Sequence, residues 1–277
     1  MGAMTRDRYA EVLCAYEGVE ELAGYSATQL RAYRDDLLDR TEQQASFIAA
    51  RLPPGARVLE IGSGNGRLLI ALARDGTVAD ALGLEVARSR VEFARAWAAD
   101  DGIAGVRFEV ADALAGDLPG EFDAVICITG AFAYFDAMRA GSAAELLRRA
   151  HDALAPGGLL VLELYPHPQH RRMLESDSTG ELRLWQELAP SDPWRFYLSH
   201  LRYDGQRRVL SHHKTFVHRT SGEIDEGRHE HLRLYDATEL EVELRAAGFV
   251  EMEAHGDWTG GPCGADDELL VVCGRRR

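Results

Sequence analysis

The chain has 277 residues, of which 45 are acidic and 31 basic, so its formal charge is −14 at pH 7. A hydrophobic fraction of 46% and a charged fraction of 27% indicate a globular protein with a buried core and exclude a disordered or fibrous chain. The acidic balance argues against nucleic acid and against an anionic membrane surface as partners, because both require a basic patch.

Targeting and cysteine signals are weak in this sequence. No apolar run approaches the roughly 20 residues of a membrane-spanning helix, and residues 1–21 show no signal-peptide pattern. The four cysteines lack metal-ligand spacing and are too few for a disulfide framework, so we expect no metal site. These features predict a cytoplasmic protein.

The first half of the chain predicts alternating strands and helices. Apolar residues recur at helical spacing up to Pro53-Pro54-Gly55, which ends that pattern. Strands are predicted at 57–61, 81–85, 106–110, 122–129 and 159–164, and helices at 87–99 and 143–154, with a further helix beginning at 67. Strands at this spacing indicate parallel crossover units and a doubly wound α/β sheet.

The pattern changes after Tyr165. Three segments rich in aromatic, β-branched and alternating polar residues, 195–203, 208–219 and 227–235, predict a three-stranded antiparallel insertion with turns at Asp204-Gly205 and Ser221-Gly222. A helix over 237–247 and two strands over 249–254 and 268–273 complete the chain.

A glycine-rich turn follows the first strand and opens a helix. Gly62, Gly64 and Gly66 are spaced G-x-G-x-G, which departs from the G-x-G-x-x-G pattern of dinucleotide-binding turns. Glu60, inside the strand, would repel a pyrophosphate and suits a ligand with positive charge. Glu85 ends the second strand, where a carboxylate can accept hydrogen bonds from both hydroxyls of a ribose.

Asp112 follows the third strand, where its carboxylate could accept a hydrogen bond from an adenine amino group. With Glu60, the turn, Glu85 and the segments 122–128 and 154–159, the set resembles a class I S-adenosylmethionine-dependent methyltransferase of the small-molecule type. The resemblance covers about residues 56–165 and the tail at 248–273.

The resemblance implies a fold, a cofactor and a set of contacts. The fold would be a Rossmann-like, doubly wound seven-stranded sheet of parallel strands with a closing antiparallel hairpin, plus the antiparallel β insertion. S-adenosylmethionine would be the cofactor. The residues that would hold it are Glu60, Gly62, Ser63, Gly64, Glu85, Val86, Asp112, Ala113, Ile128 and Thr129. Alternatively, Glu85 and Asp112 could cap the helices that follow them.

Four regions follow from this interpretation. Residues 1–52 would form an N-terminal helical lid, 53–165 the cofactor-binding core, 166–235 the insertion covering the substrate site, and 236–277 the last helix and closing hairpin. Ligands of open α/β sheets bind beyond the carboxyl ends of the strands, which is where the insertion would lie.

The candidate catalytic and substrate-binding residues are predicted from the chemistry of their side chains alone. Methyl transfer is an in-line displacement, so alignment matters most; an oxygen or carbon nucleophile also needs a base, whereas an amine must only arrive unprotonated. Candidate catalytic residues are His231, Glu230, His167 and Glu163. Candidate substrate-binding residues are Tyr165, Arg195, Tyr197, His212 and Lys214, the only lysine.

The predicted function is methyl transfer to nitrogen or oxygen, less readily carbon, of a small molecule in specialised biosynthesis. Three alternatives remain open: a methyltransferase fold that performs cyclisation or elimination, an NAD-dependent oxidoreductase, and a non-catalytic partner subunit. The expected partner is a small-molecule substrate, with neither nucleic acid nor membrane. A homodimer, or a complex with a second pathway protein, is left open.

Overall fold

The computed structural model describes residues 9–20, 22, 24–166, 168, 171–172, 174 and 180–277. Its helices are α1 Ala10–Tyr16, α2 Ala27–Asp39, α3 Glu42–Ala49, α4 Arg67–Arg74, α5 Arg88–Asp100, α6 Ala133–Met138, α7 Ser142–Ala153 and α8 Ala237–Ala246. Its strands are β1 Ala56–Ile61, β2 Val78–Glu85, β3 Val106–Val110, β4 Phe122–Cys127, β5 Leu154–Leu164, β6 Glu181–Glu187, β7 Trp194–Asp204, β8 Val209–His218, β9 Ile224–Arg233, β10 Phe249–His255 and β11 Leu270–Arg276.

The larger sheet has seven strands in the order β10-β11-β5-β4-β1-β2-β3. The strands β1 to β5 pair in parallel, whereas β11 runs antiparallel to both β5 and β10. The central strands β1 and β4 are apolar and buried along most of their length, because helices cover both faces of the sheet. The predicted fold class is therefore confirmed, including the antiparallel closing hairpin.

The insertion contains four strands, not three, in the order β6-β7-β8-β9. The missed strand, β6, is an edge strand whose residues are exposed or only half-buried. An edge strand of this kind needs no continuous apolar face, so its sequence carries little of the signal that marks a strand. The sequence analysis also missed the short helix α6.

The inner face of the four-stranded sheet packs on the body of the protein. Both α1 and α6 contact β9, and a small apolar cluster between sheet and helix includes Tyr134, Leu201, Leu210 and Leu232. The insertion therefore lies over the edge of the larger sheet where β1 and β4 end. None of the described helices combines the length and apolarity that a bilayer crossing requires.

Candidate active site

The glycine-rich turn makes a tight bend at the carboxyl end of β1. The backbone N–H groups of Gly62 and Ser63 both donate to the carbonyl oxygen of Leu84, at 2.8 and 3.0 Å. Gly62 and Gly64 have positive φ angles of 73° and 54°, a region that favours glycine. The turn therefore brings bare backbone to the floor of a cleft.

The cleft lies at the carboxyl ends of β1, β2 and β4, and its empty space amounts to about 950 Å³ including the mouth. The N-terminal segment covers it through Tyr9, Val12 and Tyr16, which line it together with the turn. All the predicted cofactor-binding residues except Asp112 line this cleft.

Glu60 is buried in the wall of the cleft, and its Oε2 atom has no hydrogen-bond partner among the described residues. Burial raises the pKa of this carboxyl to about 8, although Arg67 and Arg90 act in the opposite direction. The nearby Ser63 Oγ is also buried without a partner among the described residues. Orphaned acceptors of this kind suit a cationic, hydrogen-bond-donating ligand.

Glu85 accepts three backbone hydrogen bonds. Its Oε1 atom receives the N–H groups of Val86 and Ala87, at 2.8 and 2.9 Å, and its Oε2 receives that of Gly64 at 2.9 Å. The carboxylate therefore ties the turn to the segment that enters α5. In this arrangement Oε2 keeps one acceptor position for a ligand hydroxyl, whereas the sequence predicted hydrogen bonds from both hydroxyls of a ribose.

Asp112 lies behind the cleft wall that its neighbours Ala111 and Ala113 form. Its Oδ1 atom accepts from Tyr9 Oη at 2.6 Å and from the Leu114 N–H at 2.8 Å. Asp112 thus anchors Tyr9 over the cleft, a contact that the sequence did not suggest.

Thr129, at the end of β4, has a φ of 56°, which costs a residue with a Cβ about 1 to 3 kcal/mol. Glu163 Oε2 stabilises this conformation, because it accepts the Thr129 N–H at 3.1 Å and the Gln44 amide at 2.9 Å. Burial raises the pKa of Glu163. This carboxyl does not line the cleft and positions Thr129 from behind.

A buried polar network joins the insertion to the cleft. Glu230 Oε1 lies 2.6 Å from Lys214 Nζ and 2.9 Å from His212 Nδ1. Its Oε2 accepts the hydroxyl groups of Tyr134 and of Tyr16, the latter at 3.0 Å. Burial alone would raise the pKa of Glu230, but Lys214 and His212 lower it to about 2. The network therefore contains an ionised carboxylate behind two tyrosines that line the cleft.

Residues 52–211 match a family model described as "Methyltransferase domain". The chain belongs to this methyltransferase family. It is an S-adenosylmethionine-dependent enzyme, which decides against the NAD-dependent alternative and agrees with the orphaned carboxyl of Glu60 and the bare backbone at Gly62 and Gly64.

Known proteins similar to this methyltransferase support the assignment. A ubiquinone biosynthesis O-methyltransferase of Xanthomonas campestris is 34% identical over 118 residues, 42% of this chain and 46% of the relative. The matched region thus spans about half the length of that relative. The CcbJ methyltransferase of Streptomyces caelestis superimposes with a TM-score of 0.73 at 21% identity and covers 95% of this chain and 98% of its own.

A third similarity is to CalS10 of Micromonospora echinaspora, an amino pentose methyltransferase involved in calicheamicin biosynthesis and solved with S-adenosylmethionine bound. The TM-score is 0.62 at 25% identity, and the match covers 91% of this methyltransferase and 98% of CalS10. The fold of this methyltransferase is therefore shared over nearly the whole chain.

The structure separates the residues predicted for substrate and catalysis into three groups. Glu230, His212 and Lys214 meet in the buried network, and Tyr197 joins it through a 2.8 Å contact with His212 Nε2. Tyr165 packs close to Gly130, next to Thr129. Its pKa is raised to about 12 by burial and by the nearby Glu163 and Glu230.

None of these predicted residues that the structure describes lines the cleft itself, and two of them also lie apart from the buried network. His231 belongs to the outer face of the insertion with His229 and His213, because side chains alternate along β9 and Glu230 takes the inner face. Arg195 is exposed and pairs with Glu187 at 3.1 Å. His231 thus faces away from the network and Arg195 faces solvent, and these positions do not support the roles predicted for them. His167 lies outside the described residues.

Several residues that line the cleft were not among the predicted site residues, notably Tyr9, Arg67, Arg90 and Tyr134. Arg90 pairs with the buried Glu20 at 3.2 Å, and Arg67 donates to Thr41 Oγ1 at 2.6 Å. Arg67 directly follows the glycine turn, which was an available signal. The other three lie on helices or next to one, where nothing local marks the side chain as lining a site.

We expect Gly62→Ala to weaken S-adenosylmethionine binding by at least about tenfold and to lower the melting temperature. A Cβ at Gly62 would lie 2.8 Å from the Ala131 Cβ, and its φ of 73° is unfavourable for alanine. Calorimetric titration measures the affinity. Gly116→Ala is the matched control, since Gly116 also has a φ of 73° but nothing lies within 4 Å of its Cβ position. Equal affinities of the two variants would contradict a close approach at Gly62.

Proposed function

We propose that this enzyme transfers the methyl group of S-adenosylmethionine to a nitrogen or oxygen atom of a small molecule in a biosynthetic pathway. The observation that carries the proposal is the cleft itself. It is lined by the glycine turn and Glu60 on one side and by Tyr16 and Tyr134, backed by Glu230, on the other. Cofactor and acceptor chemistry therefore face each other across one small space.

On this proposal the cofactor side is held by backbone and carboxylates. Glu60 meets the positively charged end of the ligand, and Glu85 accepts from a ribose hydroxyl through the remaining position on Oε2. Leu84, Val86 and Ala113 provide the apolar walls for the adenine ring. S-adenosylmethionine supplies an electrophilic methyl group, and the chain aligns the acceptor and excludes water.

A small acceptor is favoured by the cover over the cleft. Tyr9, Val12 and Tyr16 of the N-terminal segment line the cleft, and the insertion packs on α1 and α6 beside it. The net charge of −14 also disfavours nucleic acid. The similarity to CalS10, which acts on an amino pentose, supports a polar small molecule as substrate.

The proposal is tested by incubating the purified protein with S-adenosylmethionine and a panel of small amines and alcohols, including amino sugars. Release of S-adenosylhomocysteine together with a product heavier by one methyl group is expected. Thermal shifts with S-adenosylmethionine, S-adenosylhomocysteine, NAD and NADP accompany the assay. Turnover of an acceptor without release of S-adenosylhomocysteine would instead identify cyclisation or elimination.

A further inference from the structure

The hydroxyl group of Tyr134 occupies a distinctive position between the network and the cleft. Tyr134 lies on α6, just after the Thr129 turn, and lines the cleft although only 7% of its surface is exposed. Its hydroxyl donates to Glu230 Oε2. The proton of this hydroxyl therefore points towards the insertion and away from the cofactor side.

Glu230 fixes that orientation because its acceptor positions are filled. Lys214 and His212 occupy Oε1, while Tyr134 and Tyr16 occupy Oε2. A carboxylate has about four acceptor sites, so all of them are used within the protein. Lys214, buried beside Glu230, keeps the carboxylate ionised and thus keeps it an acceptor.

The same contacts leave acceptor capacity on Tyr134 Oη. The Tyr16 hydroxyl is 2.9 Å from it and also receives Lys214 Nζ at 3.2 Å. Tyr16 donates its one proton to Glu230 Oε2 and therefore does not donate to Tyr134, so the lone pairs of Tyr134 Oη receive no donor among the described residues. Because Tyr134 lines the cleft, this acceptor capacity is available to a ligand there, and the bond to the carboxylate strengthens the acceptor.

The network contains no group placed to remove a proton from a hydroxyl nucleophile at Tyr134. Glu230 is saturated, and His212 donates through Nδ1 while its Nε2 contacts Tyr197 Oη and Ser199 Oγ at 2.8 and 3.0 Å. An alcohol would need such a base, whereas the lone pair of a neutral amine attacks without one. Among the described residues around Tyr134, the arrangement therefore matches an amine.

We propose that the methyl acceptor is a primary or secondary amine whose N–H group donates to Tyr134 Oη; this rests on the methyl transfer proposed above. The nitrogen lone pair forms the new N–C bond as the S–C bond breaks, and the electron pair of that bond stays on sulfur in S-adenosylhomocysteine. The nitrogen becomes positive and then loses a proton to water. Because the N–H becomes a stronger donor as this charge develops, the bond to Tyr134 tightens in the transition state.

The test measures binding as well as turnover. Protein loaded with S-adenosylhomocysteine is titrated with glucosamine, its N-methyl and N,N-dimethyl derivatives and glucose, at a pH above the pKa of their amino groups. We expect the two amines that carry N–H to bind at least about tenfold more tightly than the dimethyl compound. Tyr134→Phe should abolish this discrimination and lower kcat about 10- to 100-fold, with a smaller change in KM.

Tyr235→Phe is the matched control. Tyr235 is also buried, and its hydroxyl donates to Asp136 on α6, the helix that carries Tyr134, at 3.2 Å. Tyr235 itself does not line the cleft. It should retain the discrimination. Equal affinity for all amines, absence of any binding, or discrimination that persists in Tyr134→Phe would overturn the proposal.

Two outcomes separate this proposal from the proposed function. Selective binding of N–H amines without methyl transfer would support the role of Tyr134 and refute the reaction. Methyl transfer to the hydroxyl compounds in preference to the amines would support the reaction and refute the role of Tyr134. If Tyr134→Phe no longer binds S-adenosylhomocysteine, the proposal is judged on the wild-type protein alone: tighter binding of the N–H amines supports it, and equal binding of all amines refutes it.

Discussion

Lys214→Met is expected to lower the free energy of unfolding by about 3 to 5 kcal/mol at pH 7, because it leaves Glu230 buried without its cation. Methionine keeps most of the length of the side chain, so packing changes little. Chemical denaturation measures the loss. Since the chain has only one lysine, no other ammonium group of a side chain can compensate.

The pKa of Glu230 predicts how the free energy of unfolding changes with pH. The folded-state pKa of Glu230, about 2, lies below the ordinary value of 4.5, so its contribution to stability is present above pH 4.5 and is lost as the pH falls towards 2. Without Lys214, burial dominates and the pKa of Glu230 rises. The variant should therefore lose most stability relative to the wild type near pH 7 and least in acid.

The double variant Lys214→Met with Glu230→Gln provides the control. Removing both charges should recover much of the stability, since an isolated buried charge is what costs most. If the single and double variants were equally destabilised, the ion pair would not explain the loss. The Glu230→Gln variant alone, which leaves Lys214 buried without its carboxylate, should also be destabilised.

Glu60→Gln should weaken the binding of S-adenosylmethionine by at least about tenfold, or 1.4 kcal/mol, because a neutral amide replaces the carboxylate that meets the cationic ligand. S-adenosylhomocysteine distinguishes which charge is met, since it keeps the ammonium group but lacks the sulfonium. Equal weakening of both ligands would indicate the ammonium group. Glu109→Gln, on the exposed side of β3, is the matched control and should bind normally.

The raised pKa of Glu60 adds two expectations. Below pH 8 this carboxyl is mostly protonated in the free protein, so binding a cation should release a proton and affinity should rise up to about pH 8. Titration in buffers of different ionisation enthalpy measures that proton. No proton release near pH 7 would contradict the role of Glu60.

The free energy of unfolding should change with pH in the opposite direction to the affinity for S-adenosylmethionine. Between pH 4.5 and 8 the folded protein keeps a proton that the unfolded chain has lost, so the contribution of Glu60 to stability falls as the pH rises. It is constant above that window. Glu60→Gln removes this dependence, and the free variant should therefore melt at a higher temperature than the wild type at pH 8.

The cofactor half of the protein was largely predictable because its signals are local. The glycine turn, the carboxylate inside β1 and the acid at the end of β2 lie within one stretch whose strand and helix periodicity is clear. Parallel strands bring such residues to one edge of the sheet by a general rule. The sequence could not show that Glu85 would accept hydrogen bonds from three backbone N–H groups, or that Asp112 would accept one from the Tyr9 hydroxyl.

The insertion was predictable in kind but not in detail. Alternation along β9 separates Glu230 from His231, yet only packing on α1 and α6 determines which of the two faces is turned inward. The edge strand β6 left little signal because its side chains remain largely in solvent.

The sequence by itself determined the α/β fold class and the residues of the glycine turn, because these depend on periodicity and on chemistry between near neighbours. The cofactor followed from the resemblance of these motifs to class I S-adenosylmethionine-dependent methyltransferases. Only the tertiary structure showed the buried network around Glu230. Tyr134 and Glu230 are 96 positions apart, and Tyr16 lies 214 positions from Glu230. Their contact arises from the docking of a sheet on two short helices, a matter of complementary surfaces that no local pattern of residues encodes.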